Sequence, residues 1–166
     1  MTPRFPDAPA RRIALFAGSF DPFTVGHASI VERALPLFDT IVIAVGVNAA
    51  KPGATAADER VAAIREVYAS LPAGRVEVIA YERELTVDLA ARLNARWLLR
   101  GVRSVKDFEY ERDIADINRR LAGLETVLMF ALPDHAAISS SIVRELRSYG
   151  HDVSMLLPTK DTPSML

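Results

Sequence analysis

The chain contains no cysteine, which excludes disulfides and thiolate metal centres. It has three histidines, at 27, 135 and 151, and none of them has metal-ligand spacing such as H-x-x-x-H. No stretch of about eighteen apolar residues occurs, so a membrane-spanning helix is excluded. An excess of one charge is also missing. The formal net charge is −1, which supplies no overall basic field for gripping nucleic acid. The opening residues, MTPRFPDAPARR, hold three prolines and lack the apolar centre of a secretory signal. These absences lead to the expectation of a cytoplasmic protein with neither membrane nor nucleic acid as partner.

Apolar residues are plentiful. They make up half of the 166 residues, enough for the core of one ordinary domain. Short apolar runs, RIALFAG (12–18), TIVIAVGV (40–47), RVEVIAY (75–81), RWLLRG (96–101) and ETVLMFAL (125–132), read as strands. Amphipathic segments at 27–38, 58–71, 86–94, 106–123 and 139–150 read as helices between and after them. Thr55 and Asp58 offer a capping box to the second helix, and Gly123 a stop to the fourth. Strands that are apolar on both faces belong in a parallel sheet covered by helices on two sides. The alternation predicts a doubly wound α/β fold with five parallel strands. The expected organisation is a loosely ordered lead over 1–11, one domain over 12–158 and a tail over 159–166.

In such a sheet, ligands bind at the carboxyl ends of the strands, near the switch in strand order. The residues just after the strands are therefore informative. Gly18 to His27, reading GSFDPFTVGH, follows the first; Lys51 lies in the loop after the second; Glu84 to Thr86 follow the third. Arg100 to Arg103 follow the fourth, and Asp134, His135 and Ser139 to Ser141 the fifth. Taken singly, each has a bland reading. Gly18 and Gly26 serve as turn glycines, Lys51 as a solvated lysine and Ser139 as a helix cap. Arg100 and Arg103 serve as partners for the acids of DFEYE, and Asp107, Glu109 and Glu111 as a solvated helix face. Taken together they form a rim of donors with two helix N-termini, suited to the phosphate oxygens of a compact polyanion. Gly18 is expected to let the backbone turn out of the strand, and Gly26 to open a helix with His27 in its first turn. The pattern is neither a G-x-G-x-x-G fingerprint nor a P-loop.

At these residues the chain resembles the nucleotidyltransferases with a T/H-x-G-H signature, here Thr24-Val25-Gly26-His27. RGVRSVKDFEYERDIADINRRL (100–121) and ISSSIVRE (138–145) narrow the resemblance to the bacterial phosphopantetheine adenylyltransferases, over about residues 12 to 158. The resemblance implies a Rossmann-like nucleotidyltransferase fold. It also implies adenylyl transfer from ATP, with Mg²⁺, to 4′-phosphopantetheine, giving dephospho-coenzyme A and pyrophosphate. His27 would stabilise the transition state at the α-phosphate, and Ser19 would bridge both substrates. Lys51, Thr86, Arg100 and Asn118 would hold phosphopantetheine. Phe20, His27, Gly101, Val102, Arg103, Glu111, Ile138, Ser139, Ser140 and Ser141 would bind ATP. A homohexamer and feedback inhibition by coenzyme A are implied in the same way, and no metal ligand is assigned to the protein. Ser19 stands where the family usually has threonine, and PDHAA (133–137) lacks the usual aromatic residue. Two competing readings are a nicotinate-nucleotide adenylyl- or cytidylyltransferase, and a nucleotide-binding module without catalysis.

Overall fold

The computed structural model describes residues 11–47 and 54–160. Residues 1–10 of the expected lead, Lys51 with the rest of 48–53, and 161–166 lie outside the described residues. Arg11, the last residue of that lead, donates to Thr40 Oγ1 at 2.7 Å.

Five strands form one parallel sheet: β1 (Ile13–Gly18), β2 (Thr40–Gly46), β3 (Val76–Tyr81), β4 (Trp97–Val102) and β5 (Glu125–Phe130). Their order is β3-β2-β1-β4-β5, so the order reverses between β1 and β4. Five helices join or follow them: α1 (Val25–Ala34), α2 (Ala57–Val67), α3 (Thr86–Arg92), α4 (Val105–Ala122) and α5 (Ser140–Ser148). The doubly wound arrangement predicted from the alternating pattern is present.

Side-chain alternation along the central strands builds two cores. Ala14 and Phe16 of β1, with Ile41, Ile43 and Val45 of β2, pack against Ile30 and Val31 of α1 and Val61 and Ile64 of α2. Leu15, Ala17, Val42 and Ala44 point the other way, toward Val87, Leu89 and Ala90 of α3 and Ala122 at the end of α4. This is why these strands show no polar face in the sequence. β1 stays in register with β2 over its whole length, from Ile13–Thr40 to Gly18–Val45. Its register with β4 covers only Ala14–Trp97 and Leu15–Leu98.

Several boundaries differ from the expectation, each for a local reason. α1 begins at Val25, two residues early, because Thr24 caps it. It ends at Ala34 and not at Phe38, since Pro36 has no N–H to extend the ladder. The capping box of Thr55 and Asp58 does not form. Ala56 is the N-cap of α2 without a side-chain bond, and the Thr55 carbonyl instead accepts from Arg60 Nε at 3.0 Å. The stop at Gly123 is present, with φ of 67° in the left-handed region. Among the described residues no helix is long and apolar enough to cross a membrane.

Candidate active site

The T-V-G-H stretch folds as a helix cap. Thr24 is the N-cap of α1 and His27 occupies the third helical position. The Thr24 hydroxyl accepts from the His27 backbone N–H at 3.4 Å, and the Thr24 backbone N–H donates to His27 Nδ1 at 3.0 Å. This is a capping box in which histidine takes the place usually held by Glu or Gln. One consequence is chemical. With Nδ1 accepting, the neutral ring carries its proton on Nε2, which leaves a single N–H to donate elsewhere.

The ring is packed among aromatics. Phe23 stacks on it at 5.4 Å and Phe20 meets it edge-on at 5.2 Å. Burial, then the charges of Arg103 and Arg100, push the imidazole down from 6.5 to about 4. His27 is therefore neutral at physiological pH. Above pH 6.5 neither folded nor unfolded chain protonates this ring, and it contributes nothing. Between 6.5 and about 4 the unfolded chain binds a proton that the folded chain refuses, so stability falls as pH falls, by about 3 kcal/mol in all. Urea denaturation midpoints measured from pH 7 to 4.5 are expected to drop more in the wild type than in His27→Gln. Parallel pH profiles would assign the loss to other groups.

The loop before α1 turns at a residue other than the expected glycine. Gly18 keeps an ordinary φ, and Phe20 adopts the left-handed one, +45°. Gly18 is needed because the Phe20 ring folds back over it; a Cβ at 18 would sit 3.0 Å from Phe20 Cζ. Gly26 is the second residue of α1 and does not open it.

Arg100 projects from β4 to where β1 and β4 have left register. Its Nη1 donates to Ala17 O at 2.8 Å. Its Nε and Nη2 make a two-pronged bond to the Glu111 carboxylate on α4, at 2.8 and 2.6 Å. Glu111 is 6% exposed, so the expectation that the acids of DFEYE form a solvated face is corrected at this residue. Burial works against the Arg100 charge. The Glu111 carboxylate outweighs it and holds the guanidinium above its ordinary value. Asp107 remains near solvent, accepting from the Arg103 backbone N–H at 3.1 Å while Ser104 caps α4.

These groups surround a cleft with two lobes. The larger, about 840 Å³, is lined by Ser19, Thr86, Arg100, Glu111, Asn118, Ser140 and Ser141 among others. The smaller, about 370 Å³, is lined by Ser19, Phe20, His27, Arg100, Gly101, Arg103, Glu111, Ile138 and Ser139 to Ser141. Ser19, Arg100, Glu111, Ser140 and Ser141 belong to both, so they form the shared wall. Val102 is buried, 2% exposed, and lines neither lobe. Ser139 caps α5 through Ile142 N at 3.2 Å, and the Ser140 hydroxyl donates to Pro22 O at 2.8 Å. That bond ties α5 to the loop after β1. Lys51 lies outside the described residues. The residues that the resemblance assigned to substrates therefore line one cleft, apart from Val102 and Lys51, whereas Glu84 and Asp134 of the rim line neither lobe.

His135, of the rim after β5, lines the smaller lobe, and two residues that the sequence did not single out, Arg60 and Tyr81, line the larger. Arg60 sits in DERVAAIRE, where helical periodicity alone makes it a surface residue; nothing in the sequence marks it as buried.

A sequence profile described as cytidylyltransferase-like matches residues 15–146. The curated phosphopantetheine adenylyltransferase of Porphyromonas gingivalis is 53% identical over 148 residues, which cover 89% of this chain and 95% of the relative. That of Bacteroides thetaiotaomicron is 48% identical over 147 residues, again 89% and 95%. Solved structures agree in fold. A bifunctional NMN adenylyltransferase/ADP ribose pyrophosphatase from Francisella tularensis superposes with a TM-score of 0.64 at 13% identity, over 91% of this chain and 46% of that one. A lipopolysaccharide core biosynthesis protein from Thermoplasma volcanium gives 0.55 at 16% identity, over 74% and 98%.

Proposed function

The chain belongs to the phosphopantetheine adenylyltransferases within the cytidylyltransferase-like family, and we propose that it joins its two substrates across the wall shared by the two lobes. The reaction transfers the adenylyl group of ATP to 4′-phosphopantetheine and yields dephospho-coenzyme A and pyrophosphate, a step of coenzyme A biosynthesis. The observation that carries the reading is the position of Arg100: one guanidinium faces both lobes, beside a neutral histidine and Ser19.

The acceptor is a phosphate, already ionised, so the site needs no base to activate it. Its oxygen attacks the α-phosphorus of ATP in line, and pyrophosphate leaves from the opposite side. Phosphopantetheine occupies the larger lobe, with its phosphate held by Arg100 and Lys51 and its arm running past Thr86 and Asn118. ATP occupies the smaller lobe, with Phe20, Gly101, Arg103, Glu111, Ile138 and Ser139 along it and its phosphates at the N-terminus of α5. Glu111 serves there as the acid that fixes Arg100. His27 donates Nε2–H to the α-phosphate oxygen, whose charge grows in the transition state. Positioning and fixed dipoles do the work. The Mg²⁺ enters as part of the substrate, carried by the phosphates of ATP. Among the described residues no three carboxylates or imidazoles converge on a point.

Coenzyme A carries both halves of the joined substrates and is proposed to compete for both lobes as a feedback inhibitor. A cytoplasmic homohexamer is the proposed assembly; Val105, Tyr110 and Leu121 of α4 and Phe130 of β5 leave apolar surface exposed.

Pyrophosphate release from MgATP, measured with and without 4′-phosphopantetheine, tests the function. Release is expected to depend on phosphopantetheine and to match dephospho-coenzyme A formed. Release driven instead by nicotinate mononucleotide would overturn the acceptor assignment. ATP binding with no release from either acceptor would leave only a binding module.

A further inference from the structure

Arg60 is a buried cation with no acid beside it among the described residues. It sits in the first turns of α2 at 7% exposure, and no carboxylate among the described residues lies within ion-pair distance of it. A buried charge is kept only when hydrogen bonds replace its water. Here three carbonyls do so, each from a different segment. Nε donates to Thr55 O at 3.0 Å, just before α2. Nη1 donates to Gly46 O at 3.2 Å, at the end of β2, and to Ser19 O, in the loop after β1.

The location adds to this. The Arg60 side chain lines the larger lobe on one side and a mostly apolar pocket of about 230 Å³ on the other, so it stands as a partition between them. An apolar residue would fill that position without the charge, as Val61 and Ile64 do beside it. What an apolar residue lacks is a rigid fork of donors that holds three backbone segments at once. Ser19 is the segment of consequence, because it belongs to the wall between the lobes.

We propose that Arg60 is a positioning residue for adenylyl transfer: through the Ser19 carbonyl it fixes the Ser19 hydroxyl and the adjoining backbone at the wall where the two substrates meet. This rests on the reading of the cleft given above. Arg60 touches no reacting atom. Its effect falls on the alignment of bound substrates, and so on kcat more than on ATP affinity.

The test compares Arg60→Lys and Arg60→Met with the wild type, after equal thermal midpoints or equal circular dichroism establish folding. The lysine variant keeps the charge in case the methionine variant does not fold. A misplaced contact at this range is expected to lower kcat by about 10–100-fold, with KM for ATP changed by no more than about threefold. Guanidinium ion at low concentration is expected to restore part of the kcat of a folded Arg60→Ala protein and to leave the wild-type kcat unchanged. Amide hydrogen exchange at Ser19 and Phe20 is expected to accelerate in each variant while the interior of β1 and β2 stays protected. Wild-type kcat in a folded Arg60→Met protein, or unchanged exchange at Ser19 and Phe20, would overturn the proposal. The exchange readout needs no turnover. It decides the Ser19 contact even if the wild type fails the pyrophosphate assay, a failure that would instead overturn the reaction assigned above.

Discussion

The His27→Ala protein is expected to turn over about 10²–10³-fold more slowly than the wild type, with ATP affinity within about threefold. The reason lies in when the contact matters. The ring is neutral at working pH, its Nδ1 is held by Thr24 N–H, and its remaining N–H is aimed by packing between Phe20 and Phe23. A donor fixed in a dry aromatic setting gains most when oxygen charge increases, which happens in the pentavalent transition state and not in bound ATP. The same substitution removes half of a capping box, a loss of about 1 kcal/mol to the helix. His27→Gln separates the two effects. Glutamine at this helical position can close the box again, so stability is expected to recover while turnover stays low. Pre-steady-state measurement of bound ATP against product formed distinguishes them. A large loss of ATP affinity with unchanged turnover per bound ATP would remove His27 from the transition-state role.

Arg100→Ala is expected to have the second largest effect, on two separate quantities. KM for phosphopantetheine should rise by about 10–100-fold, the value of a charge-assisted hydrogen bond to phosphate, and by more than KM for ATP. Stability should fall by about 3–5 kcal/mol, because the Glu111 carboxylate is left without its cation, at 6% exposure. The double substitution Arg100→Met with Glu111→Leu removes the stranded charge. It is expected to regain most of the stability and none of the phosphopantetheine affinity. Steady-state kinetics with each substrate varied, and urea denaturation of the three proteins, check this. Equal weakening of both substrates would show that the guanidinium serves both lobes alike and that the acceptor lobe is misassigned.

Much of this fold was legible because its central strands are apolar on both faces. A run such as TIVIAVG can only lie in a sheet covered twice, and helices of the right length stand between the runs. Boundaries failed where long-range contacts outweighed local signals. The capping signal at Thr55 and Asp58 is sound as local chemistry, yet Thr55 gives its carbonyl to Arg60. The site was legible as a set of residues following strands. Its pairing was legible in part: Arg100 and Arg103 were expected to meet acids of DFEYE, and they meet Glu111 and Asp107. Helical periodicity cannot tell which glutamate of a charged helix meets an arginine on the neighbouring strand, so Glu111 looked solvated. It also cannot show that an arginine on an amphipathic helix turns inward to three carbonyls. The left-handed turn at Phe20, with two glycines nearby to suggest another place, needed coordinates.

The short register between β1 and β4 has a consequence for how this cleft can change. The two strands run together for two residue pairs. Two residues further along, Ala17 O takes a guanidinium N–H of Arg100 in place of a ladder bond. The floor of the cleft is thus a fork in the sheet itself, clamped from below by helices on both faces. Its width follows from where the strands part. Lengthening or shortening the 82–85 connection, whose Arg83 lines the larger lobe, would reshape that wall and leave the fork in place. A chain built this way can retailor which acceptor it admits while the point of attack on phosphorus stays fixed.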